Sequence, residues 1–270
     1  MGLMDQQTML NIMKNSDLYL QETASFERIE VYDASALNCF AFRRGTDVRS
    51  GITISLGNMV SGYSFVMGGV RFANSECAYI CGAFSDGTPQ HLAIQRKLAA
   101  CTNGYLAKKS FRRPYEEKKR TDWETFNIQW MFYVVWQKCI GNSNFRKLLL
   151  SLPHNAVIIE DSTFQNGRTA TVWGTKNYEL KKRLMQYKKE LKAQEIKKGE
   201  IKRRLDANRL GEWSHVGCFV GQNIMGKILM LCRDALLSGT DPNIDYALLQ
   251  SAHINLLGQE LSFNQRLQVA

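Results

Sequence analysis

Proline and glycine are scarce in this chain of 270 residues, which has only 4 prolines and 20 glycines. Their scarcity excludes collagen-like and low-complexity proteins, and a hydrophobic content of 44% excludes wholesale disorder. Long apolar runs are also missing: the longest, residues 130–136, lies between Gln129 and Gln137 and is too short to span a bilayer. Residues 1–7 lack a basic region followed by an apolar one, so we expect no secretory signal.

Cysteine and histidine lack the spacing that a metal site or a disulfide framework would need. The seven cysteines are odd in number, and Cys77 and Cys81 have no second Cys or His pair at a zinc-binding distance. The four histidines are scattered and suggest neither a metal centre nor a catalytic triad. We therefore expect a cytoplasmic protein in a reducing compartment, with no metal, no cofactor and no membrane partner.

Positive charge is abundant but concentrated in one segment. The formal net charge is +10, and residues 176–210, from Lys176 to Leu210, hold 13 Lys and Arg against five Asp and Glu, a net charge of +8. The apolar spacing predicts a helical hairpin or one kinked helix, interrupted at Gly199. One interpretation is an exposed, solvated insertion without a ligand. The other is an arm that binds a polyphosphate or a nucleic acid, since Lys and Arg near phosphates release counterions.

A second basic cluster covers residues 108–120 and contains seven cations and two anions. It begins with Lys108 and Lys109 and also carries Phe111 and Tyr115, so phosphate contacts and aromatic stacking can combine there. Because the cluster lies between two predicted helices, we expect a loop that faces a pocket.

The first seventy residues favour strands, and helices dominate the rest. Runs rich in β-formers predict strands at residues 28–32, 38–42, 51–56 and 63–67. Helices are predicted at residues 75–84, 89–100, 144–152 and 222–237, with a buried strand at 156–160. The pattern predicts an α+β fold, a mainly helical single domain with a small N-terminal antiparallel sheet and an inserted basic helical arm.

Two helix starts are predicted from capping signals. Thr121 and Glu124 form a capping box, which predicts a helix from there to about Cys139. Asp241 followed by Pro242 predicts the start of the last helix, because proline is favoured in a first helical turn.

A carboxylate and an aromatic ring share one face of the helix that is predicted from residue 75. Glu76 and Tyr79 are three residues apart, an arrangement suited to acid/base work or to stabilising a cation. The alternative is that Glu76 only complements the positive helix N-terminus. Trp123 and Trp173 lie at element ends, where tryptophan closes a core or stacks on a base. Asn223 is either a plain N-cap or a donor to a ribose hydroxyl.

The order of these segments along the chain resembles the NADAR superfamily, which includes the YbiA-like N-glycosidases. Arg233 matches the arginine that closes the family's last motif, and the resemblance covers roughly residues 51–237. The domain assignment that follows is an extension at 1–50, a NADAR-like domain at 51–237 with the insertion at 176–210, and a C-terminal helix at 238–270. The matching segments are Leu56-Gly-Asn-Met59, Ser75-Glu-x-x-Tyr79, Asp122-Trp123, Glu160, Trp173-Gly174 and Gly221-x-Asn-x-x-Gly-x-x-Leu-Met230.

The resemblance implies an enzyme that hydrolyses the C–N glycosidic bond of an ADP-ribosylated base or a ribosylamino-pyrimidine phosphate. Glu76 and Trp123 are the implied catalytic residues. The family's helix lysine is replaced by Ala83, and its D-x-x-W-G carboxylate by Ala170. The alternative is therefore a catalytically degenerate module that binds ADP-ribose or an NAD-derived nucleotide. The implied substrate-binding residues are Asn58, Tyr79, Lys108, Lys109, Trp173 and Asn223.

Overall fold

The computed structural model of the chain describes residues 26–43, 47–49, 52–167 and 169–263. Helices make up more of this part than strands do, and the strands are short. Of the helices in the described part, none has the length and apolar character that crossing a membrane requires. Backbone contacts divide the chain into two compact units, Met1–Ile54 with Asn155–Lys227 and Ser55–His154 with Ile228–Ala270. The domain assignment with boundaries after residues 50 and 237 stays a prediction.

All five predicted strands form, although each is shorter than its sequence pattern. In chain order the strands are β1 (Glu30–Asp33), β2 (Cys39–Phe42), β3 (Asp47–Arg49), β4 (Ile52–Ile54), β5 (Phe65–Met67), β6 (Val70–Phe72), β7 (Val157–Glu160), β8 (Lys176–Asn177), β9 (Cys218–Gly221), β10 (Asn255–Leu256) and β11 (Gln259–Glu260).

The predicted antiparallel pairing of the N-terminal strands is confirmed in part, because most of them pair antiparallel but in several small sheets and not in one. In the first unit, β1 pairs antiparallel with β9, which also pairs antiparallel with β8. Strand β2 pairs in parallel with β7, with Cys39 opposite Val157. The antiparallel hairpins are β3–β4, β5–β6 and β10–β11. Distant pairing wins because Ala34, Cys39, Ile159 and Phe219 bury one another in a shared cluster.

The predicted helices also form, with small shifts at their ends. In chain order they are α1 (Ser75–Gly82), α2 (Pro89–Ala99), α3 (Gly104–Ala107), α4 (Trp123–Gly141), α5 (Ser143–Leu150), α6 (Ala170–Trp173), α7 (Tyr178–Ala193), α8 (Lys198–Leu210), α9 (Ile224–Ser238) and α10 (Tyr246–Ser251). A π-helical turn, Lys108–Arg112, continues α3, and short 3-10 turns cover Glu116–Lys118 and Glu212–His215.

Both helix starts that were predicted from capping signals were wrong. The N-cap of α4 is Asp122, without a side-chain cap, because the Arg120 guanidinium holds its two carboxylate oxygens at 2.6 Å each. Helix α10 begins at Tyr246, where Asp245 caps the Leu248 N–H. Asp241 instead accepts a hydrogen bond of 2.7 Å from the Tyr246 hydroxyl. Side-chain contacts with Arg120 and with Tyr246, which lie outside the predicted capping signals, therefore influence where these two helices start.

The basic segment is a helical hairpin, as one of the two alternatives predicted. Its break lies at residues 194–197, where Glu195 adopts a φ of 56°, and not at Gly199, which is inside α8. Helix α7 ends near Gln194 after its buried stripe of Leu180, Leu184 and Leu191 has been completed. This apolar stripe packs the basic hairpin, residues 176–210, against the rest of the first unit, while the charged faces of the hairpin are exposed.

Candidate functional site

Helix α1 of the second unit starts in a fully buried polar environment. Asn74 is its N-cap and accepts a hydrogen bond of 3.0 Å from the Cys77 N–H. The Asn58 carbonyl accepts the Glu76 backbone N–H at 3.1 Å, and the Asn58 side-chain oxygen accepts the Ser75 hydroxyl at 3.1 Å. The segment around Asn58 is thus fastened to the first turn of α1, beside Glu76.

Glu76 projects a buried carboxyl from that first turn. The residue is 5% exposed, and its Oε1 atom has no hydrogen-bond partner in the described part of the chain. Since Asn74 already caps the helix, Glu76 is not the residue that satisfies the free N–H groups. Burial raises the pKa of the Glu76 carboxyl above its ordinary value, while the charges of Lys108 and Arg112 lower it by less. A buried carboxyl oxygen without a hydrogen-bond donor lowers the stability of the fold, and such groups are typical of functional sites.

The positive charges near Glu76 come from the π-helical turn. Lys108 begins this turn and Arg112 ends it, so a backbone irregularity brings both cations towards α1. The Arg112 guanidinium carbon lies 5.8 Å from the centre of the Tyr79 ring. Lys109, on the same turn, is exposed. Single π-turns occur often at functional sites. Residues 108–112 thus form a π-helical turn where a loop was predicted, and Arg112 had no predicted role.

Aromatic rings pack beside Glu76. The Tyr79 and Trp123 ring centres are 5.1 Å apart, and Trp123 meets Phe126 edge-on at 5.3 Å. Trp123 and Tyr79 are each 3% exposed, so both rings are covered by their neighbours. Burial raises the pKa of the Tyr79 hydroxyl far above its ordinary value and keeps it neutral.

A buried lysine that the sequence analysis missed lies at the other side of Ser75. The Lys138 ammonium donates a hydrogen bond of 2.9 Å to the Ser75 hydroxyl and lies 3.8 Å from the centre of the Phe145 ring. The residue is 1% exposed, and burial lowers its pKa to about 8. Its spacing of seven residues from Met131 and four from Val134 puts it on the apolar side of α4, which was the available signal.

Trp173 and Gly174 belong to the first unit, as the last residue of α6 and its C-cap. Trp173 is half-buried. A Cβ atom at Gly174 would lie 2.6 Å from the Glu160 carbonyl oxygen, so only glycine permits this close approach of α6 to the end of β7.

Asn223, also in the first unit, is fully buried and holds two backbone groups of β7. Its amide nitrogen donates to the Ile158 carbonyl at 2.8 Å, and its amide oxygen accepts the Glu160 N–H at 3.0 Å. The backbone has a φ of 54°, which asparagine tolerates better than most residues. Gly226 makes this possible, because a Cβ there would collide with the Ile158 carbonyl. The arrangement explains Asn223 as a structural residue, and its contact with a ribose stays a prediction.

Six of the eight predicted residues therefore lie in the second unit, and two of them, Tyr79 and Trp123, pack on each other near the buried Glu76 carboxyl. Asn58 and Lys108 adjoin them. Trp173 and Asn223 lie in the first unit. Within residues 26–43, 47–49, 52–167 and 169–263, no three His, Cys, Asp or Glu side chains gather as a metal site would need.

Comparison with known proteins adds no assignment: no family model matches the chain, and neither does any curated protein.

Proposed function

We propose that this protein is an N-glycosidase that hydrolyses the C–N glycosidic bond of an ADP-ribosylated base or a ribosylamino-pyrimidine phosphate. The observation that carries the proposal is the Glu76 carboxyl, which is buried, unpartnered at Oε1 and placed beside an aromatic pair and two cations. The resemblance of the ordered motifs to the NADAR superfamily supplies the substrate class.

The chemistry asks for a proton donor that becomes an anion next to a developing positive charge. Because burial raises the pKa of Glu76, its carboxyl stays protonated to a higher pH than an exposed glutamate would. It gives that proton to the leaving base as the C1′–N bond breaks, and the bonding electrons leave with the base. The new carboxylate then stabilises the oxocarbenium-like ribose and takes a proton from the water that adds to C1′.

The neighbouring side chains suit the rest of such a substrate. The Tyr79 ring packs on Trp123 and is only 3% exposed, so a base would stack on it only after the Arg112 guanidinium that covers it moves away. Lys108 and Arg112 carry the positive charge that phosphate groups need, and Arg112 can bind a phosphate in a bidentate manner. Asn58 supplies a polar group at the start of α1.

Ala83 and Ala170 favour a second candidate, a binding module without turnover. Both are buried, at 2% and 5% exposure, at positions where the family resemblance implies an amine and a carboxylate. Lys108 can replace that positive charge, since of the two cations on the π-helical turn it has the larger effect on the Glu76 carboxyl. That charge is the reason to place the enzyme ahead of the binding module.

The test is to incubate the pure protein with ADP-ribosylated guanine nucleotides and with ribosylamino-pyrimidine phosphates, and to measure base release by chromatography. Base release by the unmodified protein and by Glu117→Gln, which changes an exposed carboxylate of the same unit, but not by Glu76→Gln, is the expected result. No release from either substrate, at protein concentrations close to that of substrate, would overturn the enzyme. Calorimetric binding without release would select the binding module.

A further inference from the structure

The two helices of the basic arm, α7 and α8, differ in how many of their cations form ion pairs with carboxylates. In α8, Glu200 binds Arg203 and Arg204 at 2.7 Å each, and Lys202 binds Asp206 at 3.0 Å. Arg209 lies 3.6 Å from Asp161 and is largely buried. Four of the five cations of this helix therefore have a carboxylate partner.

In helix α7 most of the cations have no carboxylate partner in the described part of the chain. Arg183 approaches Glu179 at 3.4 Å, and Glu190 accepts a hydrogen bond from Gln186. The remaining cations have no carboxylate within salt-bridge distance in the described part of the chain; they are Lys181, Lys182, Lys188, Lys189 and Lys192. Their ammonium groups are thus available to an anionic partner.

Apolar side chains accompany these lysines on the outer face of α7. Tyr178 is 60% exposed and Met185 is 58% exposed, and the two residues lie about two turns apart on the same face of the helix. Together with Lys181, Lys182, Gln186 and Lys189 they form one open surface patch on α7. The leucine stripe is buried on the opposite side, so these two residues are not needed for packing of the arm.

We propose that the outer face of α7, lined by Tyr178, Lys181, Lys182, Met185 and Lys189, binds single-stranded nucleic acid. Unpaired lysines neutralise backbone phosphates, and an exposed tyrosine gives a flat surface on which an unpaired base stacks. A duplex hides its base faces and gains only the phosphate contacts. An anionic membrane fits less well, because an interfacial helix needs a broad apolar face and the leucines of α7 are already buried.

The measurement is fluorescence anisotropy of a labelled oligothymidylate of about 20 nucleotides with the full chain, across a series of salt concentrations. Lys181, Lys182 and Lys189 changed together to Gln should reduce the slope of log affinity against log salt by about 2. The matched control changes Lys198, Lys202 and Arg203 of α8 to Gln, removing the same formal charge. It should leave the slope within about 0.5 of the unmodified protein. Equal losses in both variants would show that net charge, and not this face, drives binding.

Stacking is tested separately by Tyr178→Ala, with Tyr178→Phe as the control that keeps a ring. Tyr178→Ala should weaken binding of the single strand at least about fivefold, and Tyr178→Phe should not. Binding of a duplex of the same length should be the same for both variants. No binding of the oligonucleotide at low salt, or binding only to vesicles that contain phosphatidylserine, would overturn the proposal. Because turnover plays no part in these measurements, their outcome is independent of the N-glycosidase activity.

Discussion

Asn223 in the first unit and Glu76 in the second are both buried polar residues near a helix start, and the molecule uses them in opposite ways. Asn223 satisfies both ends of its amide with backbone groups of β7. Glu76 leaves Oε1 without a partner in the described chain and sits among cations and aromatic rings. A satisfied polar group rigidifies a fold, whereas an unsatisfied one stores free energy that a ligand can recover. The difference separates a structural residue from a candidate catalytic one.

Removing the satisfied group should have the largest effect on folding. Asn223→Ala strands the Glu160 N–H and the Ile158 carbonyl and places alanine at a positive φ. We expect the free energy of unfolding to fall by about 4 kcal/mol, measured by denaturant titration. Asn223→Asp keeps the acceptor for the Glu160 N–H but sets an oxygen against the Ile158 carbonyl in a fully buried site, so it should lose at least as much. A loss below about 1 kcal/mol for Asn223→Ala would mean that the bridge to β7 is not what holds this region.

Lys138 tests what a buried charge does to stability when it has only one hydroxyl partner. Burial lowers its pKa to about 8 from an ordinary value of 10.5, so the folded state binds this proton less tightly than the unfolded chain does. Between these two pH values the unfolded chain binds the extra proton, and stability from this residue rises with pH. The stability advantage of Lys138→Met over the unmodified protein should therefore shrink by about 3 kcal/mol from pH 7 to pH 10.5.

The control for that pH series is Lys147→Met, which changes an exposed lysine on α5. It should alter the free energy of unfolding by the same amount at both pH values. An unchanged difference for Lys138→Met would show that its amine is not buried in the folded protein.

Glu76→Gln sharpens the comparison from the side of activity. The substitution keeps the size of the side chain and removes both the proton and the charge. If the carboxyl serves the leaving base and the ribose cation, base release should fall at least about 100-fold, with a smaller change in KM. Turnover that survives this substitution would return Glu76 to a structural role like that of Asn223.

The same variant should have a small and opposite effect on stability. Burial raises the pKa of Glu76 above 4.5, so its contribution to stability is largest below that pH and is lost as pH rises through the folded-state pKa. Glu76→Gln should then unfold at a free energy about 1 kcal/mol higher than the unmodified protein at pH 7. The gain should vanish near pH 4 in calorimetric melts. A loss of stability at pH 7 would indicate that Glu76 has a partner in solution.

Local signals predicted most of the elements but not their pairing. Five of the strands and the longer helices follow alternation and helical periodicity, which depend on neighbouring residues, whereas the shorter elements β6, β9, α3 and α6 were not predicted. The capping box predicted Thr121 as the N-cap of α4, but the N-cap is Asp122, whose carboxylate is bound by Arg120. The break at Gly199 failed because α7 ends where its leucine stripe ends, and glycine only weakens a helix.

The sequence by itself determined that the basic segment is helical, that Glu76 and Tyr79 share a face of α1, and that a basic cluster begins at Lys108, because each depends on residues within a few turns of one another. Only the tertiary structure decided that β2 pairs with β7, that Asn223 binds backbone, and that Lys138 and Glu76 are buried. Burial and pairing depend on which distant surfaces meet, and desolvation then sets the charge state of each buried group. A carboxylate at a helix start can therefore be read from the sequence, but whether it lacks a partner depends on the packed chain around it.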